Sequence, residues 1–533
     1  MPESESARIG RANLWFGLIV VLLLGASVRL APLIGESFPI NDGALFAQMS
    51  VDLRENGFFL PRSTTYNGLE IPFGYPPLAF YLTAAISTVS GIGVTDVLRW
   101  LPSVFATLSI VGIYLLAGEL LRSRWRGLIA AGAYALMTRS YLWLVVGGGV
   151  TRALGVLLAV MALHQGVLLM RHHDRRYVIG TALLSGLTVL SHPQAAVFLV
   201  VSLCVLWLFH YSVGPSRVSF AQLAVAGVGG LLVATPWIAS VVVMHGWQPL
   251  LSAGRTGMDL GAGVSQLFGL AFSDGIVFDL MTALGILGIL IRIARLQFMI
   301  PLWFVLTILI DPRAGTTYAT IPLSLSVVPV LGEILQRMVP GPAWGKSLDD
   351  TPIPRMVWTH RASAILLALI LFVALRTAAR TSVDPSVPLY ALQPEQAAAM
   401  QWARDNTPSS AEFVVVTDLP WERDYVSEWF PVVAQRYSLT TVQGSEWSDL
   451  DAFLQRVAQH RQLQRCANVP VACLHDWYER WEAEPGYVFI PKGELSGPSS
   501  DGACCAALLE TLASSGRLRE VYDGPGATIF GAP

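Results

Sequence analysis

FPINDGALFAQMSVDLRENGFFLP, residues 38–61, follows closely on an apolar run from Leu14 to about Ile34, and the architecture of the chain turns on how the two are joined. If the run is a cleaved leader, 38–61 opens a secreted protein. If it is a retained helix, 38–61 is the first loop of a membrane protein. The run is close to the ~20 residues that a helix needs to cross a bilayer and longer than a signal-peptide core, and Gly25-Ala26-Ser27 makes a weak cleavage site. Arg29 can snorkel from the end of such a span. The run therefore reads as a retained first helix, which leaves Asn41 and Asp42 in a loop at the membrane boundary.

Composition agrees. Of 533 residues, 53% are hydrophobic and 14% charged, whereas a soluble globular chain carries roughly a quarter charged residues. This is an integral membrane protein, with the lipid bilayer as its first partner. A formal net charge of −2 and the lack of a lysine-rich block exclude nucleic acid as another.

Apolar segments recur near 100–121, 127–146, 150–170, 178–191, 195–212, 220–243, 276–294, 298–310, 318–338 and 362–379. With the first helix they predict about eleven spans, several only marginally long enough. Loops rich in Arg and Lys (RSRWR at 122–126, RHHDRR at 171–176, Arg217, Arg292 with Arg295, and Lys346 with Arg355 and Arg361) alternate with loops holding few basic residues. The positive-inside rule makes the rich loops cytoplasmic and puts the N-terminus inside. An odd number of spans then leaves everything after about residue 381 outside. The apolar stretch 79–97 would reverse the charge bias if it crossed the bilayer. It is expected to lie in or near the outer interface, within one long external loop of about residues 35–98.

From about residue 381 the composition shifts toward that of an extracytoplasmic α/β domain, 381–533, attached to the membrane domain 1–380. QPEQAAAMQWARDN predicts a helix, residues 413–417, 487–490 and 527–530 predict strands, and a further helix is expected around 503–514. Cys466, Cys473, Cys504 and Cys505 fall in this domain, on the oxidising side. Two disulfides between the clusters are expected, with four-cysteine zinc binding and free thiols as the rivals.

Certain residues carry a family likeness. An acidic residue just after the first helix, a helix ending at Gly57 with aromatics and Pro61, the Pro76-Pro77-Leu78 of YNGLEIPFGYPPLAFYL (66–82), and LRWLPSVFATLSIVGIYLLAGELL (98–121) together resemble the GT-C membrane glycosyltransferases. Within that class the chain is similar to protein O-mannosyltransferases and to the aminoarabinose transferase of lipid A. The resemblance implies transfer of a sugar from a polyprenyl-phosphate donor to a protein, lipid or glycan acceptor at the external face. It places the family's loop aspartate on Asp42, as general base. The leaving group is already a stabilised phosphate, so one base for the acceptor's proton and a cation for the phosphate suffice.

The chain departs from the family in two places. Tyr75 stands where many relatives have a lysine that touches the donor phosphate, so another cation must serve. Arg152 (GGGVTRALG) and Arg313 (DPR) are the candidates, with Arg62 and Arg139 behind them, because a guanidinium fork suits phosphate oxygens. The second external loop also has no Asp-x-Asp, and Asp42 with Asn41 makes a poor hard-cation site, so no metal or other cofactor is expected.

Each candidate has a plainer reading. Asp42 is placed to cap the helix that starts near Gly43, Arg152 to anchor a helix end, and Arg313 to pair with Asp311. His192, at the outer end of a span, is either a phosphate or acceptor ligand or a satisfied helix-end residue. Asp52 and Glu70 read as solvated loop residues. SEWFPVVAQRYSLTTVQGSEW (427–447) is either an aromatic, charged lid or a pair of core tryptophans, Trp429 and Trp447. Gly147-Gly148-Gly149 has no following Lys-Ser/Thr and is no nucleotide loop. Two other functions compete: a non-catalytic scaffold of the same fold, which the missing lysine allows, and a transporter, which the scarcity of ionisable residues in mid-span disfavours. No retention signal stands at the C-terminus, and a prokaryotic plasma membrane is the expected location.

Overall fold

The structure is a computed structural model that describes residues 5–213, 217–255, 260–269, 278–311, 313–338, 361–383, 389–483, 486–493, 504–515 and 518–531. Among the described residues, six helices are long and apolar enough to cross a bilayer: Ala12–Leu33, Val94–Leu120, Gly149–His172, Phe220–His245, Gly315–Ile334 and Ala364–Ser382. Four more apolar helices are shorter, Leu78–Ser90, Pro193–Phe209, Leu280–Ala294 and Met299–Ile310. The stretch 127–146, expected as a span, is instead a helix that ends at Leu136, followed by a 3-10 turn at Thr138–Ser140. Polar residues stop it there. Thr138 donates from N–H and hydroxyl to the buried carboxylate of Asp279, and these bonds take the place of further helical ones.

The stretch 79–97 is no single crossing helix. Helix α3 (Leu78–Ser90) closes on Gly91, whose φ of 72° suits a residue without Cβ, and α4 (Val94–Leu120) starts afresh after Gly93. The rest of the first loop is α2 (Ala44–Glu55) and a short antiparallel pair, β1 (Ser63–Thr64) with β2 (Ile71–Pro72). Leu45, Met49 and Leu53 repeat at helical spacing on the buried face of α2. The helix ends at Gly57 (φ 64°), where the N–H of Phe58 returns to the Leu53 carbonyl at 2.9 Å. Asp52 is not solvated: it is buried, and its carboxylate accepts from Thr64 Oγ1 (2.6 Å), Thr65 N–H (2.9 Å), Thr65 Oγ1 (2.6 Å) and Gln48 Nε2 (2.9 Å). That network ties the hairpin to α2.

The C-terminal region is built on a five-stranded sheet in the order β4-β3-β5-β7-β6. Strands β3 (Glu412–Val415), β4 (Tyr437–Ser438) and β5 (Tyr487–Pro491) run parallel; β6 (Arg519–Asp523) and β7 (Ala527–Gly531) complete it antiparallel. The side chains of β3 and β5 alternate between two cores, as the pleat requires. Val414, Val488 and Ile490 pack with Leu463, Leu474, Leu508 and Leu512 on one side. Phe413, Val415 and Phe489 pack on the other with Trp429, Phe430 and Met400, and also with Leu45, Met49, Phe73 and Phe80 of the first loop. The first loop and the sheet domain therefore share one apolar core. The cysteines pair within their clusters, Cys466–Cys473 and Cys504–Cys505, and not between them. The turn between two helices brings the first pair to a Cα separation of 5.4 Å, well inside bridging range.

Candidate active site

Asp42 lies in the linker, residues 34–43, between the first helix's 3-10 extension (Ala31–Leu33) and α2, and its loop is fastened on both sides. On the membrane side, the Gly147 N–H donates to the Ile40 carbonyl at 3.0 Å. On the sheet-domain side, Asn41 N–H donates to the Tyr390 carbonyl (2.7 Å) and its Nδ2 to that of Glu422 (3.2 Å). Asn41 adopts φ 58°, a left-handed conformation that asparagine tolerates.

The carboxylate of Asp42 points toward the amino end of α6 (Gly149–His172). Its Oδ1 accepts the Gly148 N–H at 2.8 Å, and its Oδ2 accepts from an Arg152 guanidinium nitrogen at 3.0 Å. Both partners are half-buried, with 27% of the Asp42 side chain and 24% of the Arg152 side chain exposed. The glycines are needed for this approach. A Cβ on Gly147 would fall 2.1 Å from the Asp42 carbonyl oxygen, and one on Gly148 2.6 Å from Oδ2.

Asp42 does not cap α2. The N-cap position is Gly43, which has no side chain, and the orphan N–H groups of Gly43 and Ala44 donate to Glu428 Oε1 at 2.8 and 3.1 Å. Glu428 comes from helix α17 (Tyr425–Val433) of the sheet domain, numbering α7 to α16 in chain order as Arg175–Val189, Pro193–Val213, Arg217–His245, Gln248–Arg255, Leu260–Phe268, Leu280–Ala294, Met299–Ile310, Gly315–Met338, Arg361–Val383 and Pro394–Asn406. Burial, and then the charge of Asp42, push its carboxyl up to about 8. The sequence singles out the segment 427–447 for its tryptophans and charges but gives Glu428 no role of its own. Nothing local marks it, because its partners lie 385 and 384 residues away.

Tyr75 stands beside this centre. Its ring packs against Phe46 and Trp447, each at 4.8 Å between centroids. Burial pushes its hydroxyl up to about 12, while the nearby Arg152 and Arg313 charges act in the opposite sense. The same two guanidiniums bear on His192, which is 4% exposed; burial first, then these charges, bring it down to about 3, so its ring is neutral. His192 Nδ1 is 3.5 Å from the Tyr318 hydroxyl. Asp42, Arg152, Tyr75, His192 and Arg313 thus form one neighbourhood.

Arg313 is exposed; the Asp311 carboxylate accepts from the Arg313 backbone N–H and feels its charge, and Asp311 Oδ1 also accepts from Gln194 Nε2 (3.1 Å) and Ala314 N–H (3.2 Å). Arg139 is committed to Thr316 Oγ1 at 2.9 Å. Arg62 is exposed, and its carbonyl lies 2.7 Å from His245 Nε2; no contact joins it to Asp42 among the described residues. Trp429 and Trp447 are core residues, 0% and 5% exposed. From this segment it is a carboxylate that reaches the Asp42 loop. A second, Glu446, has its carboxyl pushed up by burial and faces the opposing charge of Arg313.

Residues 75–239 match a family model described as dolichyl-phosphate-mannose-protein mannosyltransferase. That segment contains Tyr75, Arg152 and His192, but neither Asp42 nor Arg313. No curated protein matches the chain in sequence. Solved structures match it over most of its length. The archaeal oligosaccharyltransferase AglB from Archaeoglobus fulgidus, in complex with an inhibitory peptide and a dolichol-phosphate, superposes with TM-score 0.54 at 14% identity, over 90% of this chain and 69% of that one. ArnT from Cupriavidus metallidurans bound to undecaprenyl phosphate gives 0.51 at 14%, over 96% and 97%. The arabinofuranosyltransferase AftD from Mycobacteria gives 0.58 at 17%, over 98% of this chain but 40% of its own. The chain therefore has the fold of the GT-C membrane glycosyltransferases and resembles the mannosyltransferase family within residues 75–239.

Proposed function

We propose that the chain is an integral-membrane glycosyltransferase that moves a sugar from a polyprenyl-phosphate donor to a protein, lipid or glycan acceptor at the extracytoplasmic face of a prokaryotic plasma membrane, with Asp42 as general base. One observation carries the reading: Glu428 takes over the capping of α2, and the carboxylate of Asp42 is left half-buried beside Arg152 with no structural duty to that helix.

The reaction follows from these groups. Asp42 accepts the proton of the acceptor hydroxyl as its oxygen forms a bond to the anomeric carbon. The bond from that carbon to the phosphate oxygen breaks, and polyprenyl phosphate departs with the electron pair. The Gly148 N–H and Arg152 hold the two Asp42 oxygens in place for that proton transfer. Arg152 and the exposed Arg313 are the cations offered to the donor phosphate in place of the lysine that Tyr75 replaces. Tyr75 and neutral His192 are left as hydrogen-bonding walls of the same space. Arg62 is offered for binding further out on the loop. No metal is assigned a role, since both Asp42 oxygens already have donors and a lone carboxylate is a poor site for a hard cation.

The test uses membranes containing wild type or Asp42→Asn at matched protein levels, supplied with a panel of labelled polyprenyl-phosphate sugars and several acceptors. Transfer from one donor that falls by about 10²–10⁴-fold in Asp42→Asn, with folding intact, supports the enzyme and names its sugar. No turnover by folded wild type across the panel replaces this reading with a non-catalytic scaffold of the same fold.

A further inference from the structure

The reading of Asp42 as base leaves unexplained why an acidic side chain of the sheet domain is buried against its loop. Glu428 is 3% exposed, and its Oε1 accepts from the two N–H groups that immediately follow Asp42 in the chain. A carboxylate is an expensive thing to bury beside another one. A serine, threonine or asparagine at position 43 would cap α2 locally with no such penalty. Gly43 offers no side chain, and its φ of 124° together with the 2.9 Å that would separate an added Cβ from the Gly147 backbone shows why none is present. The cap has to come from elsewhere.

Glu428 is itself held rigidly. The Tyr66 hydroxyl donates to its carbonyl at 2.7 Å. One turn earlier, Asp424 caps α17 by accepting the Ser427 N–H at 3.0 Å, and it is fixed in turn by His460 Nε2 (2.8 Å) and the Thr417 hydroxyl (2.8 Å) at the end of β3. All three of these side chains are buried. A chain of satisfied polar contacts therefore runs from the sheet through α17 to the first turn of α2, and the residue before that turn is Asp42.

We propose that Glu428 is a positioning residue for the transfer reaction: from the sheet domain it caps α2 and so fixes the backbone on which Asp42 stands, making that domain part of the active site. The inference rests on the reading of Asp42 given above. Glu428 touches neither donor nor acceptor in this scheme; it acts through the backbone of Gly43 and Ala44.

The experiment compares full-length wild type, Glu428→Ala, Glu428→Gln, Tyr66→Phe and Asp42→Asn in lipid nanodiscs, with the donor that wild type uses. Glu428→Ala removes the acceptor oxygen and is expected to lower kcat by about 10²-fold, the scale of loss for a misplaced catalytic group, with the donor KM changed less than about threefold. Glu428→Gln keeps an acceptor oxygen and is expected to recover most of that loss, which a need for the charge itself would not allow. If Glu428→Ala fails to fold, Tyr66→Phe carries the test, since it deletes one hydroxyl and should lower kcat severalfold at unchanged KM. Wild-type kcat in Glu428→Ala, a Gln variant no better than Ala, or, where Tyr66→Phe stands in, an unchanged kcat overturns the inference alone, provided Asp42→Asn is inactive. No transfer by wild type overturns the functional reading and this inference together.

Discussion

At the scale of single residues, the centre depends on how closely two backbones approach. Gly148 has an ordinary helical φ of −68°, so its conformation does not require glycine. Its space does, because a Cβ there would lie 2.6 Å from Oδ2 and 2.8 Å from Cγ of Asp42. The Gly148→Ala protein should therefore fold, although Gly148 is the N-cap of α6 and alanine is a poorer N-cap than glycine. It should still displace the Asp42 carboxylate from Arg152, and a shift of about 1 Å is enough for a loss near 10²-fold in kcat. Steady-state kinetics beside a thermal melt checks this: normal kcat at normal stability would mean that the approach of Asp42 to α6 is not needed for turnover. The sequence marks Asp42 and Arg152 individually, from the place of one after the first helix and of the other at the start of a span. It does not say that they pair, because 110 residues separate them and no pattern links a glycine triplet to a particular carboxylate.

At the scale of elements, legibility follows how local the cause is. The strands at 412–415, 487–491 and 527–531 announce themselves by runs of Val, Ile and Phe that a buried sheet needs. Strand β4 has only two residues, and β6 (REVYD) reads as polar because it is an edge strand of the sheet. The helix break at Gly91 and the C-terminal Gly57 of α2 are visible as glycines, whereas the cap of α2 is not, because it is built by another helix. That borrowed cap has a pH signature. Glu428 is pushed up to about 8 from an ordinary 4.5 by burial and by Asp42. The groups around it are Asp42 with its partner Arg152, Tyr66 from the 66–68 turn, and Asp424 with His460 at the start of its own helix. A folded carboxyl with a raised value holds its proton more tightly than the unfolded one. Its contribution to stability is complete below about pH 4.5 and is lost as the pH rises through about 8. The wild-type melting temperature should therefore fall between about pH 5 and 9 more steeply than that of Glu428→Gln, which has no proton to lose there. Parallel slopes for the two proteins would show that Glu428 does not titrate in this window.

At the scale of the whole molecule, composition divides the chain near residue 381, but packing does not. One face of the five-stranded sheet is covered by helices 450–464, 472–481 and 506–514 of its own domain. The other face, with α16 and α17, meets the first loop, where Trp429 packs its ring edge-on against Phe38 at 5.4 Å and Trp447 sits against Tyr75 and above Gly74. Apolar area buried in this shared core is worth roughly 25 cal/mol per Å², and an isolated domain would give much of it back to water. Residues 381–533 expressed alone should consequently bind a hydrophobic dye such as ANS and melt broadly or self-associate, in contrast with the same domain in the full chain. Co-expression with a fragment holding residues 1–380 should restore a sharp transition. A monomeric, cooperatively melting 381–533 that does not bind the dye would show that the sheet domain closes its own core. In that case the contact at Glu428 would be a docking of two finished bodies, and the loop and the sheet could separate to admit a substrate without either losing its fold.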